Sequence, residues 1–167
     1  MTSCVIAPCT VTDGDALSRN NISAFWEDPN WVLAWRHTTL EKHILTTSKR
    51  YPRKLISDRA TSRHQKAVDP ETGRLLGYAR WVLPTSHTTL ANGDPAWPEA
   101  MVPEIEPAQE AEIRRVAEAT PWNPNLESDV LDTAVSEIKK GILGSKPYLC
   151  KPDLRTQAIR LTLYSRS

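Results

Sequence analysis

The sequence lacks most of the features that announce a function. No apolar run approaches the ~20 residues needed to span a bilayer, so no membrane role is expected. Charge of one sign is missing too: 21 basic and 20 acidic side chains leave a net charge of +1. That balance gives no electrostatic footprint for nucleic acid or an anionic surface. Cysteine is scarce. Cys4, Cys9 and Cys150 form no CxxC pair and no Cys/His cluster, so reduced thiols and no metal are expected. The chain contains no GxSxG elbow, no Walker loop and no HExxH. Met1 to Pro8 has neither the basic region nor the apolar core of a signal peptide, which makes the cytoplasm the expected compartment. The Asn21-Ile22-Ser23 sequon falls in a predicted helix and reads as chance.

What is present is more specific. With 167 residues, 40% apolar and 25% charged, the chain suits one soluble domain over 1–167 with its own core. There is one phenylalanine but six tryptophans. Tryptophan is large and half-polar, and it lines pockets and interfaces as well as cores. The 13 prolines cluster between Pro84 and Pro124, which predicts a long irregular insert over about 84–124.

Periodicity gives the elements. Cys4 to Pro8 reads as an edge strand ended by proline. Thr12 is the expected N-cap of a helix running to about Trp26, with Asp15 three residues on. Glu27-Asp28-Pro29-Asn30 breaks it. A second helical stretch is predicted from Trp31 to Ser48, split near His37-Thr38-Thr39, and Lys49 to Lys54 reads as a basic loop, most simply a solvated helix end. Arg63–Asp69 and Leu75–Leu83 form the arms of a hairpin around Asp69-Pro70-Glu71-Thr72-Gly73-Arg74, with Gly77 marking a bulge or close approach. A short helix over Ala108–Ala119 lies in the insert. Leu126, Val130, Ala134, Ile138 and Ile142 then make the apolar line of an amphipathic helix. Tyr148 to Cys150 is a further strand, followed by a closing helix. The order β, α, α, β, β, helical insert, β, α predicts a mixed α/β or α+β layer fold.

The strand, the Lys151-Pro152-Asp153 turn and the helix that follows form an anion cradle in outline, because a helix N-terminus offers unpaired N–H groups. The competing interpretation is an ordinary strand–turn–helix. This segment resembles the pyrophosphate motif of the GNAT superfamily of acetyl-CoA-dependent N-acetyltransferases, with Arg155 at its first position. Ala158 and Arg160 stand where that family has small residues. The strand and helix start near the N-terminus, the Ala24–Trp31 junction and the run from His64 to Trp81 are similar to fungal members of the family. The resemblance covers about the first half of the family's core. Its fifth to seventh strands and fourth helix have no counterpart.

The resemblance implies acetyl-CoA held by Cys150, Lys151, Arg155, Thr156, Gln157, Ala158 and Arg160, and an N-acyltransferase acting on a small-molecule or peptide amine. Acyl transfer needs a base. Glu27 and Asp28 lie where the family lines its acceptor site, and His64 titrates near neutrality. For each of these a solvated polar residue is the competing interpretation. Trp26, Trp31, Trp35, Tyr78, Arg80 and Trp81 are the expected pocket residues. Two alternatives stand beside transfer. One is a small-molecule binding protein or cofactor-independent isomerase or cyclase of secondary metabolism. The other is an inactive truncated product, pairing as a homodimer through an open sheet edge.

Overall fold

The structure is a computed structural model that describes residues 4–125 and 129–145. The predicted strand Tyr148–Cys150, the cofactor residues Cys150 to Arg160 and the closing helix lie outside the described residues.

The described chain is a mixed α/β structure with five α-helices and a three-stranded antiparallel sheet. The strands are β1 (Val5–Pro8), β2 (Ser62–Val68) and β3 (Leu75–Val82), in the order β1-β2-β3. β2 pairs with β1 through Ile6↔Ala67 and with β3 through His64↔Arg80 and Lys66↔Tyr78. Pro8 sits on the edge strand, where a missing N–H costs no interior ladder bond. The hairpin turn is closed by Asp69, whose carboxylate accepts from the Glu71 N–H at 2.9 Å. Gly73 takes φ +69° there, a conformation natural to glycine. The register shifts between Ala67 and Val68, across from Gly77, so the glycine does flank a bulge.

The helices are α1 (Gly14–Phe25), α2 (Pro29–Trp35), α3 (Leu40–Ile56), α4 (Pro107–Ala119) and α5 (Asp129–Ser145). Two expectations need correction. The helix start is organised by Thr10 and Asp13, not by Thr12: the Thr10 N–H donates to Asp13 Oδ2 at 2.7 Å. That carboxylate also receives Lys66 Nζ at 2.7 Å, which ties the helix start to β2. The basic run Lys49–Lys54 is not a loop but the last turns of α3, which continues through Pro52 to Ile56. His43, Thr47, Tyr51 and Leu55 are buried at i,i+4 steps along it. Packing along that stripe outweighs the hydrogen bond that proline removes. Space helps as well. At Gly14 a Cβ would stand 3.0 Å from Pro52 Cγ, so the missing side chain lets α1 pass close to the proline.

α1 packs on α3 and on β3, and α3 reaches β3 through Tyr51 against Tyr78. Cys9, Leu17, Tyr51, Leu55, Tyr78 and Val102 meet in the core. The insert crosses the other side of the hairpin, where Trp97 packs against Trp81 at 5.9 Å. Arg63 fastens it there. This side chain is fully buried and donates to the carbonyls of Ala96 and Trp97 in the insert at 2.9 and 3.1 Å, and to Arg59 and Ser62 at 3.1 and 2.9 Å. α5 carries Ile138 and Ile142 exposed, the part of the predicted apolar line whose side chains are described. No described helix is long and apolar enough to cross a membrane.

Arg63→Met should cost on the order of 3 kcal/mol or more in urea unfolding, because several buried carbonyls lose their donor. The insert should then be cut by protease near Ala96 while α3 persists. Gly14→Leu should cost about 1–3 kcal/mol through overpacking against Pro52, readable in the same assay.

Candidate functional site

α3 carries polar and basic side chains beside its buried stripe, and these line a cavity of about 630 Å³. That is the size of a small-molecule site, for which about 300–1,000 Å³ is usual. α1 contributes Asn21, Ile22 and Phe25, α3 contributes Thr47, Arg50, Tyr51, Arg53 and Lys54, and β3 contributes Arg80. Trp31, Arg114 and Trp122 complete the wall, with Ser57 and Asp58 just past the end of α3.

The aromatic wall is built by packing. Phe25 stacks on Trp31 with ring centres 5.5 Å apart. Trp122 meets Trp35 at 4.7 Å, and its segment is pinned by the Asn125 N–H donating to the Ala34 carbonyl at 2.8 Å. Arg50 stitches this wall to α4. It donates to the carbonyls of Ala117 and Thr120 at 2.8 and 2.6 Å and lies 5.3 Å from the Trp122 ring centre, within cation–π range. Lys54 Nζ lies 5.5 Å from the Tyr51 ring centre.

The polar side is unusual. Among the described lining residues five are cationic, namely Arg50, Arg53, Lys54, Arg80 and Arg114, and only Asp58 is acidic. Arg114 is neutralised by Glu110 at 2.6 Å. Thr47 is 7% exposed, and its Oγ1 is buried without a hydrogen-bond partner, as is Arg80 Nε. Buried polar atoms of this kind are ordinarily satisfied.

Of the six expected pocket residues, Trp31 and Arg80 line this cavity. Tyr78 lies beneath it, packed edge-on to Tyr51 at 5.9 Å. Trp35 and Trp26 surround His43 at 4.0 and 6.1 Å, and Trp81 faces Trp97. Among the expected bases, Glu27 is exposed. The Asp28 carboxylate caps α2, accepting from the N–H groups of Asn30 and Trp31 at 2.9 and 3.2 Å. His64 is fully buried, its Nδ1 2.8 Å from the Tyr78 hydroxyl. Burial, and then the nearby Arg80, Lys54 and Arg63 charges, push its pKa down to about 4, so it stands neutral at pH 7. The Tyr78 hydroxyl is pushed up, chiefly by burial. Sequence reasoning missed Thr47, Arg50, Tyr51, Arg53, Lys54, Arg114 and Trp122. The signal for the α3 group was the i,i+4 row His43-Thr47-Tyr51-Leu55, which runs straight through the supposed loop.

His43 is also buried, among Trp26, Trp31, Trp35 and Trp122. Burial, then His37, brings its pKa down to about 4. Among the described residues no group of three or more His, Cys, Asp or Glu comes together as a metal site.

No protein-family model, no curated protein and no solved structure matches this chain. The functional argument therefore rests on the cavity.

Two predictions follow from the site chemistry. Both histidines bind protons more weakly folded than unfolded, so the unfolded state takes up more protons between about pH 6.5 and pH 4. Stability should fall as pH falls through that window, by roughly 3 kcal/mol per histidine at most. Urea midpoints measured from pH 7 to pH 4 check this, and His43→Phe should flatten part of the slope. Asp28→Ala should cost about 1 kcal/mol through the lost cap, while ligand affinity of the cavity changes little.

Proposed function

We propose that this chain is a small-molecule-binding domain whose ligand sits in the cavity between α1, α3 and β3. The observation that carries this reading is the cavity itself: about 630 Å³, walled by Phe25, Trp31 and Trp122 and edged by arginine and lysine. Apolar walls with a few converging polar groups are the usual composition of a ligand site. The chemistry of the three expected bases favours binding over catalysis by them. One is solvated, one is spent as a helix cap, and His64 is buried outside the cavity lining with its Nδ1 on Tyr78.

Acyl transfer is the second reading, and a specific observation favours it. An antiparallel β1-β2-β3 sheet with α1, α2 and α3 between its first two strands is compatible with the order β, α, α, β, β of the GNAT resemblance when α2 and α3 are taken as its split second helix. On that reading the cavity holds the acceptor, acetyl-CoA is the donor and the compartment is the cytoplasm.

Calorimetry with CoA and acetyl-CoA, beside quenching of Trp31 and Trp122 fluorescence by small aromatic molecules, separates the two. Binding predicts saturable quenching that is lost in Trp31→Ala. Acyl transfer predicts saturable acetyl-CoA binding and release of free CoA thiol when an amine is added. No heat at millimolar acetyl-CoA would sink the second reading and leave the first standing.

A further inference from the structure

The cavity's charge is too one-sided for a neutral ligand. Three of its cations, Arg50, Arg53 and Arg80, have no carboxylate partner among the described residues. Arg50 is hydrogen-bonded through Nη1 to backbone carbonyls, which occupies part of its guanidinium and does not neutralise its charge. Like charges converging on one partly enclosed space repel, and the repulsion grows as water is excluded. An anion relieves it. Two lining residues carry polar groups that could receive it. Arg80 Nε is buried without a partner, and Thr47 Oγ1, on a side chain more than nine-tenths buried, is likewise unsatisfied. Both residues line the cavity.

We infer that the ligand is an organic oxyanion: a flat aromatic body held by Phe25, Trp31 and Trp122, with a carboxylate or phosphate received by Arg80 and Thr47. The inference rests on the cavity being the ligand site. The guanidinium of Arg80 presents a planar fork suited to two parallel bonds to such a group, and the Thr47 hydroxyl supplies a third donor. Arg53 and Lys54 on the last turns of α3 bring further positive charge to the same space. Indole and phenyl faces take the body by stacking.

The test uses the full chain and three matched probes: 2-naphthoate, 2-naphthyl phosphate and neutral 2-naphthalenemethanol, measured by calorimetry at low and moderate salt. The expected result is that one or both anions bind at least tenfold more tightly than the alcohol, with the margin shrinking as salt rises. The two anions against each other decide between carboxylate and phosphate. Arg80→Gln should lower the anion's affinity tenfold or more and leave the alcohol's unchanged, and Arg80→Lys should restore part of the loss. Thr47→Val, which removes only the hydroxyl, gives the same sign with a smaller effect should the β3 variant fold poorly. Equal affinity for the alcohol and the anions, or an Arg80→Gln chain that folds and binds the anions as before, overturns the inference while the cavity reading stands. If none of the three probes binds, the cavity reading falls as well.

Discussion

The site depends on α3 keeping its course past Pro52. Five cavity residues lie on that helix, and Arg50, Arg53 and Lys54 flank the proline. A helix ending before Pro52 would scatter these cations into solvent. Proline inside a helix forfeits a hydrogen bond and crowds the preceding turn. Here the cost is offset on two sides. The buried row from His43 to Leu55 holds α3 against α1 and, through Tyr51, against Tyr78 of the sheet, and Gly14 leaves room where a side chain would press on the proline ring.

The same helix links the core to the charge. Tyr51 is buried against Tyr78 on one side and forms part of the cavity on the other. Beneath it the His64–Tyr78 pair stays neutral, because burial disfavours the charged form of each group. The cavity's polarity therefore comes from its rim of cations and from Arg80. On the far side of the hairpin, Arg63 uses the same chemistry for a structural end: a guanidinium saturated by backbone carbonyls, holding the proline-rich insert in place.

Much of the fold was legible from local signals. The edge strand at Pro8, the break at Asp28-Pro29, the split at Thr39 and the hairpin turn at Gly73 each rest on a residue whose backbone or hydrogen-bonding chemistry is nearly unambiguous. The run Lys49–Lys54 was read as a loop, and there tertiary packing carries α3 on through Pro52. That one misjudgement hid most of the site, since a basic loop and a basic helical wall have identical composition. Tryptophans marked the right region, yet Trp35 and Trp81 went into packing, against His43 and Trp97. Arg80 and Trp31 were identifiable from the sequence, and the i,i+4 row carried a signal for Thr47. Trp122 was not identifiable, because its role arises only from chain segments brought together by folding.

The most direct measurement is a crystal structure of the full chain with 2-naphthyl phosphate. The account predicts the naphthyl ring between Phe25, Trp31 and Trp122, and phosphate oxygens within hydrogen-bond distance of Arg80 and Thr47. A ligand ordered elsewhere, or an α3 that ends before Pro52 and leaves Arg53 and Lys54 away from Arg80, would contradict it.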